Sequence, residues 1–409
     1  MSARLPAEKQ KAALLVAFMW VAYFLNYCDR QAAFSMFPAF RTDLGMTDQQ
    51  LGLIGACFLW VYAFGCPIAG QLGDRYSKRL LVVLSLVVWS IVTVATGFAA
   101  SATMLLVLRA SMGIAESLYM AAAIALTANA HPPELRSRAI AALTTAQIAG
   151  TVAGSWFGGR MADLGRWREA FFILGGVGVL YAAPYFLFLR TVQEEAVAPA
   201  KPGAGLAIQA LIKVPGFLLL CVIFPVFVFG LWLLYGWLPS FLHDKFSLNQ
   251  GDAAFNATVF LQGATLIGMI GGGILADVLY RRTKAARLWL LTASLLLCAP
   301  CLHLLGNSDT LTMTRVAAAG FGLFSGLLMG NIFPAAFEMV PIDTRASAVG
   351  VLNLCGGMMS GVATLFGGLW KKTLGIDRLL SLTGIAYLLA GVALVVGIGV
   401  MFPRGRQHA

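Results

Sequence analysis

Asp29, Arg30, Arg109 and Glu116 are ionisable, yet each lies inside a stretch apolar enough and long enough to cross a lipid bilayer. A charge at the bilayer centre costs at least about 2.5–3.5 kcal/mol, so such residues face a protein interior or an aqueous path. Arginine presents a planar fork that matches a carboxylate or phosphate. Two guanidiniums facing one space repel each other unless an anion lies between them. The chemistry these residue types permit is therefore an anion clamp at Arg30 and Arg109. The plainer alternative is that each arginine only neutralises Asp29 or Glu116, and such buried pairs are weak evidence of added stability.

The two acids suit proton uptake. Burial disfavours an ionised carboxylate and a nearby guanidinium favours it, so an acid held between these effects titrates when its surroundings change. Arg109 and Glu116 are seven residues apart, about 10.5 Å and nearly two helical turns, so they share a face. On that geometry, ionised Glu116 is expected to hold Arg109 and protonated Glu116 to release it. Arg30 and Arg109 run in oppositely directed spans and reach a similar depth. The four histidines fall at loops, span ends or late in a span, which leaves no histidine relay beside these acids.

The elements that position these residues follow from composition. The 409-residue chain is 59% hydrophobic and only 11% charged, against about 25% charged in a soluble domain. Mean hydropathy is +0.81, and 44 glycines suit close helix packing in lipid. A bilayer core needs about 20 apolar residues per helix. Twelve such runs can be placed: 13–37, 50–72, 80–99, 103–130, 139–159, 170–190, 214–241, 253–276, 286–306, 312–338, 346–369 and 380–402. The longest polar break, 191–213, divides them into an N-terminal bundle of six helices (1–190), a cytoplasmic linker (191–213) and a C-terminal bundle of six (214–409). Residues 13–37 are too long for a signal-peptide core and lack a cleavage site, so they read as the first span.

The halves echo each other. Pro132-Pro133-Glu134-Leu135-Arg136 and Pro341-Ile342-Asp343-Thr344-Arg345 each open a span, and each arginine is followed three residues later by alanine. Gly70-Gln-Leu-Gly-Asp74-Arg75 recurs as Gly273-Ile-Leu-Ala-Asp277, with Arg281 and Arg282 beyond. Internal repeats of this kind mark transporters with a site at the repeat interface. If the N-terminus is cytoplasmic, the cytoplasmic loops hold more than twice the Lys and Arg of the opposite loops, which puts both termini inside. The net charge of +11 is spread singly between apolar spans, so it reads as membrane-flanking charge and not as a nucleic-acid surface. The seven cysteines lie mostly in apolar runs, and Cys298-Ala-Pro-Cys301 has no second pair or histidine ladder, so it reads as packing. No Walker loop and no catalytic constellation is present, so neither an enzyme nor an ATP-driven pump is indicated, and no cofactor or metal is expected.

Gly70-x-x-Gly-Asp74-Arg75-Tyr-Ser-Lys78-Arg79 resembles the signature of the major facilitator superfamily, with Ser77 where that signature usually has glycine. With twelve spans, the central break and the repeat, the resemblance covers the whole chain. It implies an all-α membrane protein, two six-helix halves around a central cavity. It also implies a conformational gate in which Asp74 and Arg75 make charge contacts that hold the outward-facing state, with Arg136, Asp277 and Arg345 at matching loop positions. Asn26-Tyr27-Cys28-Asp29-Arg30 resembles a motif shared by the anion:cation symporters and the Spinster-like transporters, and both groups carry an arginine and a glutamate spaced as Arg109 and Glu116. Leu44-Gly-Met-Thr-Asp48 and Val88-Trp-Ser90 look Spinster-like, and Tyr235-Gly-Trp237-Leu-Pro239 looks more like the anion symporters.

The resemblance implies proton-coupled symport of a small organic anion, a carboxylate such as a sugar acid or monocarboxylate, by alternating access. Asp29 and Glu116 would couple the proton. Tyr27, Tyr119, Gln147, Tyr235, Asn331 and Asn353 join the two arginines as candidate substrate contacts, although a polar side chain in a span is more often a helix–helix hydrogen bond. A Spinster-like lysolipid or lipid-anion transporter is one alternative, and a non-transporting membrane sensor is another. The expected setting is the cell inner (plasma) membrane, with the lipid bilayer and the small anion and proton as partners, and the chain a monomer.

Overall fold

A computed structural model describes residues 4–192 and 204–401, with side chains from residue 10 onward except at 70, 73, 74, 121, 128, 133, 134, 136–138 and 204–207. Every regular element among the described residues is helical. The chain divides into two compact units. Unit 1 comprises 1–201 with 248–255, and unit 2 comprises 202–247 with 256–409.

Unit 1 contains α1 (Arg4–Ser35), the short α2 (Phe37–Leu44), α3 (Asp48–Arg75), α4 (Lys78–Gly97), α5 (Ala102–Ala130), α6 (Pro133–Asp163) and α7 (Trp167–Leu189). The punctuation is local chemistry. Gly45 adopts φ 60° and closes α2, and the next helix opens with a capping box between Thr47 and Gln50. Ser77 and Ser101 cap α4 and α5. Within the unit α1 packs on α6, α3 on α5, and α4 on both α5 and α7. Its core gathers Leu86, Trp89, Tyr119, Leu143 and Tyr185, with Trp89 and Tyr119 edge to face at 5.2 Å. Residues 248–255 join this unit partly through Asp163, whose carboxylate accepts the Gln250 and Gly251 backbone N–H groups at 2.7 and 2.8 Å.

The contact between α1 and α6 needs glycine. Gly150, Gly154 and Gly158 recur every four residues on α6 and face α1. A Cβ at Gly154 would lie 2.5 Å from the Cys28 carbonyl oxygen, and one at Gly158 would lie 2.7 Å from the Ala32 Cα. Only hydrogen at these positions lets the backbones approach so closely. Cys28 directly precedes Asp29 and Arg30, so this contact sets where both of those side chains begin.

Unit 2 contains α8 (Ala204–Ile212), α9 (Pro215–Phe246), most of α10 (Gln250–Tyr280), α11 (Ala286–Asn307), α12 (Leu311–Met339), a 3-10 turn (Ile342–Thr344), α13 (Arg345–Trp370) and α14 (Ile376–Met401). Here α11 packs on α12 and α14, and α9 on α13. In its core Tyr387 stacks on Phe321 and meets Phe227 at a tilt. Glycines again permit close approach, since a Cβ at Gly326 of α12 would lie 2.8 Å from the Met269 nitrogen of α10.

Eleven helices among the described residues are long and apolar enough to cross a bilayer. The expected span at 139–159 lies within α6, which has the length, with 31 residues. Its face toward α1 is built from glycine, and Thr144, Thr145, Gln147, Thr151 and Ser155 lower its apolar character below that of the other eleven. The polar break at 191–213 is partly helical. Residues 193–203 lie outside the described residues, but 204–212 form α8. Cys298 and Cys301 are free thiols that donate to main-chain carbonyls of Phe321 and Leu297, consistent with packing.

Candidate functional site

The four ionisable residues meet in unit 1, all at most 6% exposed. Glu116 Oε2 accepts from Arg30 Nη2 at 2.6 Å. This corrects the expectation that Glu116 holds Arg109. Spacing along α5 places Arg109 and Glu116 on one face, but α1 brings Arg30 to the acid. Asn26, one turn before Arg30, adds its Oδ1 at 3.5 Å from the same Nη2. Tyr27, Phe58 and Tyr62 surround the guanidinium, their ring centroids 4.7, 4.5 and 5.1 Å from its central carbon. Ring faces attract a cation, so they hold Arg30 even if the carboxylate loses its charge.

Arg109 is held by weaker partners. Its Nη1 donates to the Met112 sulfur at 3.1 Å, and its Nη2 lies 3.5 Å from the Asp29 main-chain oxygen. The Phe171 ring is 5.8 Å away, and Nε has no hydrogen-bond partner. No carboxylate pairs with Arg109 among the described residues. Asp29 turns instead toward α4, where Thr93 donates to Oδ2 at 3.1 Å, and Oδ1 has no partner.

Arg30 and Arg109 line one recess together with Phe34, Ile54 and Phe58. In this conformation it is closed, with no room for even a water molecule until side chains move. A basic recess flanked by two buried acids can neutralise an anion, and it can bind or release a proton at Glu116 or Asp29 without solvent between the groups.

The other candidates are distributed differently. Tyr27 joins the cluster through its ring. Tyr119 donates to the Met19 carbonyl at 3.2 Å and packs against Trp89, and Gln147 accepts from Tyr23 at 3.4 Å. Tyr119 sits in the helix-packing core, Gln147 is half-buried, and neither lines the recess. Tyr235, Asn331 and Asn353 belong to unit 2. Tyr235 is buried edge to face with Trp232, and Asn353 is exposed. Asn331 is committed at both ends, donating to the Leu327 carbonyl at 2.9 Å and accepting from Arg287 at 3.1 Å.

Among the gate candidates, the side chains of Asp74 and Arg136 lie outside the described residues, and Arg75 ends α3 exposed. Asp277 pairs with Arg287 at 3.0 Å, and Arg287 also binds Glu338 at 2.7 Å. Arg345 reaches the Phe337 carbonyl at 3.2 Å. The Asp277 partner is thus Arg287 on α11, and not Arg281 or Arg282 just beyond α10. Spacing along α10 names no partner for Asp277; helix packing brings Arg287 to it. Thr93, Phe58 and Tyr62 were also missed. A hydroxyl or ring within an apolar span carries no signal until the helix beside it is known, although Phe58 and Tyr62 stand four apart on one face of α3.

Residues 19–364 match the profile of the Major Facilitator Superfamily. The hexuronate transporter of Bacillus subtilis is 25% identical over 95% of this chain and 93% of that protein. The probable sulfoacetate transporter of Cupriavidus necator is 29% identical over 94% and 91%. Human protein spinster homolog 1 is 28% identical over 76% of this chain, which spans 61% of that protein. A bacterial homolog of the human lysosomal transporter Spinster, solved inward-facing and unoccupied, superposes with TM-score 0.78 at 23% identity over 95% of each chain and shares the fold.

Proposed function

The chain belongs to the Major Facilitator Superfamily, and on that premise we propose that it is a proton-coupled symporter of a small organic anion. It is a multi-pass membrane transporter, with relatives that are transporters and not enzymes. The observation that carries the finer reading is the recess at Arg30 and Arg109 beside the Arg30–Glu116 ion pair.

The chemistry works by competition. While Glu116 is ionised, its carboxylate occupies the Arg30 fork and the anion meets Arg109 alone. A proton on Glu116 replaces the ion pair with a weaker hydrogen bond, and the Arg30 fork turns to the substrate carboxylate. Substrate and proton then favour each other, because each removes the cost of the other's binding, and that reciprocity is the thermodynamic content of symport. Arg30, Arg109, Asp29 and Glu116 sum to zero charge when both acids are ionised. One proton and one monoanion therefore enter without leaving net charge in the low-dielectric interior. Asp29, whose Oδ1 has no hydrogen-bond partner and whose main-chain oxygen lies 3.5 Å from Arg109, is the second proton carrier.

Names of relatives support a carboxylate or sulfonate cargo, one being a hexuronate transporter and another a probable sulfoacetate transporter. The gate is proposed at Asp74, Arg75 and Arg136 on one repeat and at Asp277 and Arg345 on the other, with Arg287 added as the Asp277 partner. The setting is the plasma membrane with cytoplasmic termini. Reconstituted protein with an imposed inside-alkaline pH gradient tests the reading: it should concentrate a radiolabelled anion, and a proton ionophore should abolish the accumulation. Unchanged accumulation with the ionophore would remove proton coupling. A second reading, a lysolipid or lipid-anion transporter, draws on the similarity to human protein spinster homolog 1, and a substrate panel separates the two.

A further inference from the structure

We propose that Thr93 is the positioning residue for the proton that Asp29 carries, its hydroxyl holding the ionised carboxylate and turning away when the proton arrives. This rests on the reading of Asp29 as the second proton carrier. Asp29 and Thr93 are 1% and 0% exposed. The Thr93 hydroxyl on α4 donates to Asp29 Oδ2 at 3.1 Å, and Asp29 Oδ1 has no partner. Among the described residues Thr93 is therefore the sole hydrogen-bond donor to this carboxylate. The same hydroxyl reaches the Trp89 carbonyl at 3.0 Å. A threonine that bonds the carbonyl four residues back is common within helices and needs no second helix. The bond to Asp29 is the added one, and it crosses from α4 to α1.

One hydroxyl hydrogen serves two acceptors, so the stronger acceptor takes it. An ionised carboxylate outcompetes a main-chain carbonyl. A proton landing on Oδ1, the oxygen no donor occupies, leaves Oδ2 a neutral carbonyl oxygen, and the Thr93 hydrogen then passes to the Trp89 carbonyl. The only covalent bond formed is O–H at Oδ1, and Thr93 keeps its own hydrogen throughout. Neither state orphans the buried hydroxyl, so Asp29 gains and loses its proton without that cost. The charged groups facing Asp29 are Arg109 and Glu116 on α5. Cys28 and Arg30 adjoin it on α1, with Arg30 tied to Glu116. In α4, α6 and α7 every charged residue lies within two turns of a helix end. Thr93 is thus the neutral group that tunes how tightly Asp29 holds its proton.

Thr93→Val removes the hydrogen bond with little change in shape. Loss of a hydrogen bond to the charged form tightens proton binding at Asp29 by roughly 10- to 150-fold, which raises its titration midpoint by about one to two pH units. The test is infrared spectroscopy of the full-length protein in lipid vesicles, which reads the C=O stretch of a protonated carboxyl. It is run in Glu116→Gln, and loss of the band on adding Asp29→Asn assigns it. The band midpoint is expected to move up by that amount with Thr93→Val and to stay in place with Thr93→Ser, which keeps the hydroxyl. Thr93→Cys, a weak donor, is expected to shift it the same way and serves if melting shows that the valine variant does not fold. An unmoved midpoint in a folded Thr93→Val or Thr93→Cys protein would overturn the inference and leave Asp29 as a proton carrier. No titrating band in Glu116→Gln would remove Asp29 as a carrier and this inference with it. A shifted midpoint alongside a wild type that shows no proton-driven uptake would support the inference while removing symport.

Discussion

Glu116→Gln keeps the shape of the side chain and an oxygen for Arg30, but removes the charge. The pair is separated by 2.6 Å, and its side chains are 0% and 6% exposed. At an effective dielectric of about 20, two unit charges 4 Å apart attract by about 4 kcal/mol. The amide retains a hydrogen bond to a charged donor, worth about 1.5–3 kcal/mol, and the three rings continue to hold the guanidinium. The net loosening of Arg30 is therefore about 1–3 kcal/mol, roughly 5- to 150-fold in any equilibrium that releases it. In the wild type, anion affinity should be highest at low pH, where Glu116 binds its proton, and fall as pH rises and the ion pair re-forms. In Glu116→Gln the affinity should sit at the low-pH level throughout. Calorimetric titration of the anion at several pH values reads both. Counterflow exchange should persist in the variant, while accumulation driven by a pH gradient is lost. A variant whose affinity keeps the wild-type pH slope, or that still concentrates the anion, would refute the competition at Arg30, and Asp29 would become the acid to test.

Three further outcomes follow from the same geometry. Arg109→Ala should cost at least tenfold in anion affinity with little loss of stability, since among the described residues its side-chain contacts are only the Met112 sulfur and the Phe171 ring, and lysine should rescue poorly without the fork; calorimetry and melting curves check both. Gly154→Ala should destabilise by about 1–3 kcal/mol and impair transport, because the new Cβ meets the Cys28 carbonyl oxygen at 2.5 Å and displaces the backbone before Asp29 and Arg30; wild-type melting and uptake would contradict the close contact. Arg287→Ala should destabilise by about 1–3 kcal/mol, since it orphans the buried Asn331 oxygen while the pair with the 75% exposed Asp277 adds little, and it should shift the conformational equilibrium if the cluster is a gate. Unaltered spin-label distance distributions would count against that gate.

The linear pattern was enough to place almost every spanning helix, because lipid requires each span to satisfy its own backbone and present apolar surface. It also singled out Asp29, Arg30, Arg109 and Glu116, since nothing but a protein interior makes charge tolerable at that depth. Helical periodicity put Arg109 and Glu116 on one face, and both do reach α1. Periodicity along one helix says nothing about which residue of another helix stands opposite. Pairing depends on how helices pack; Gly150, Gly154 and Gly158 on α6, far in sequence from Asp29 and Arg30, set how closely α6 meets α1. Packing gave Glu116 to Arg30, turned Asp29 toward Thr93, left Arg109 without an acid among the described residues and, in unit 2, tied Asn331 to Arg287. The depth and face of each charge are one-dimensional properties of the chain; the partner of each charge is decided only where helices meet.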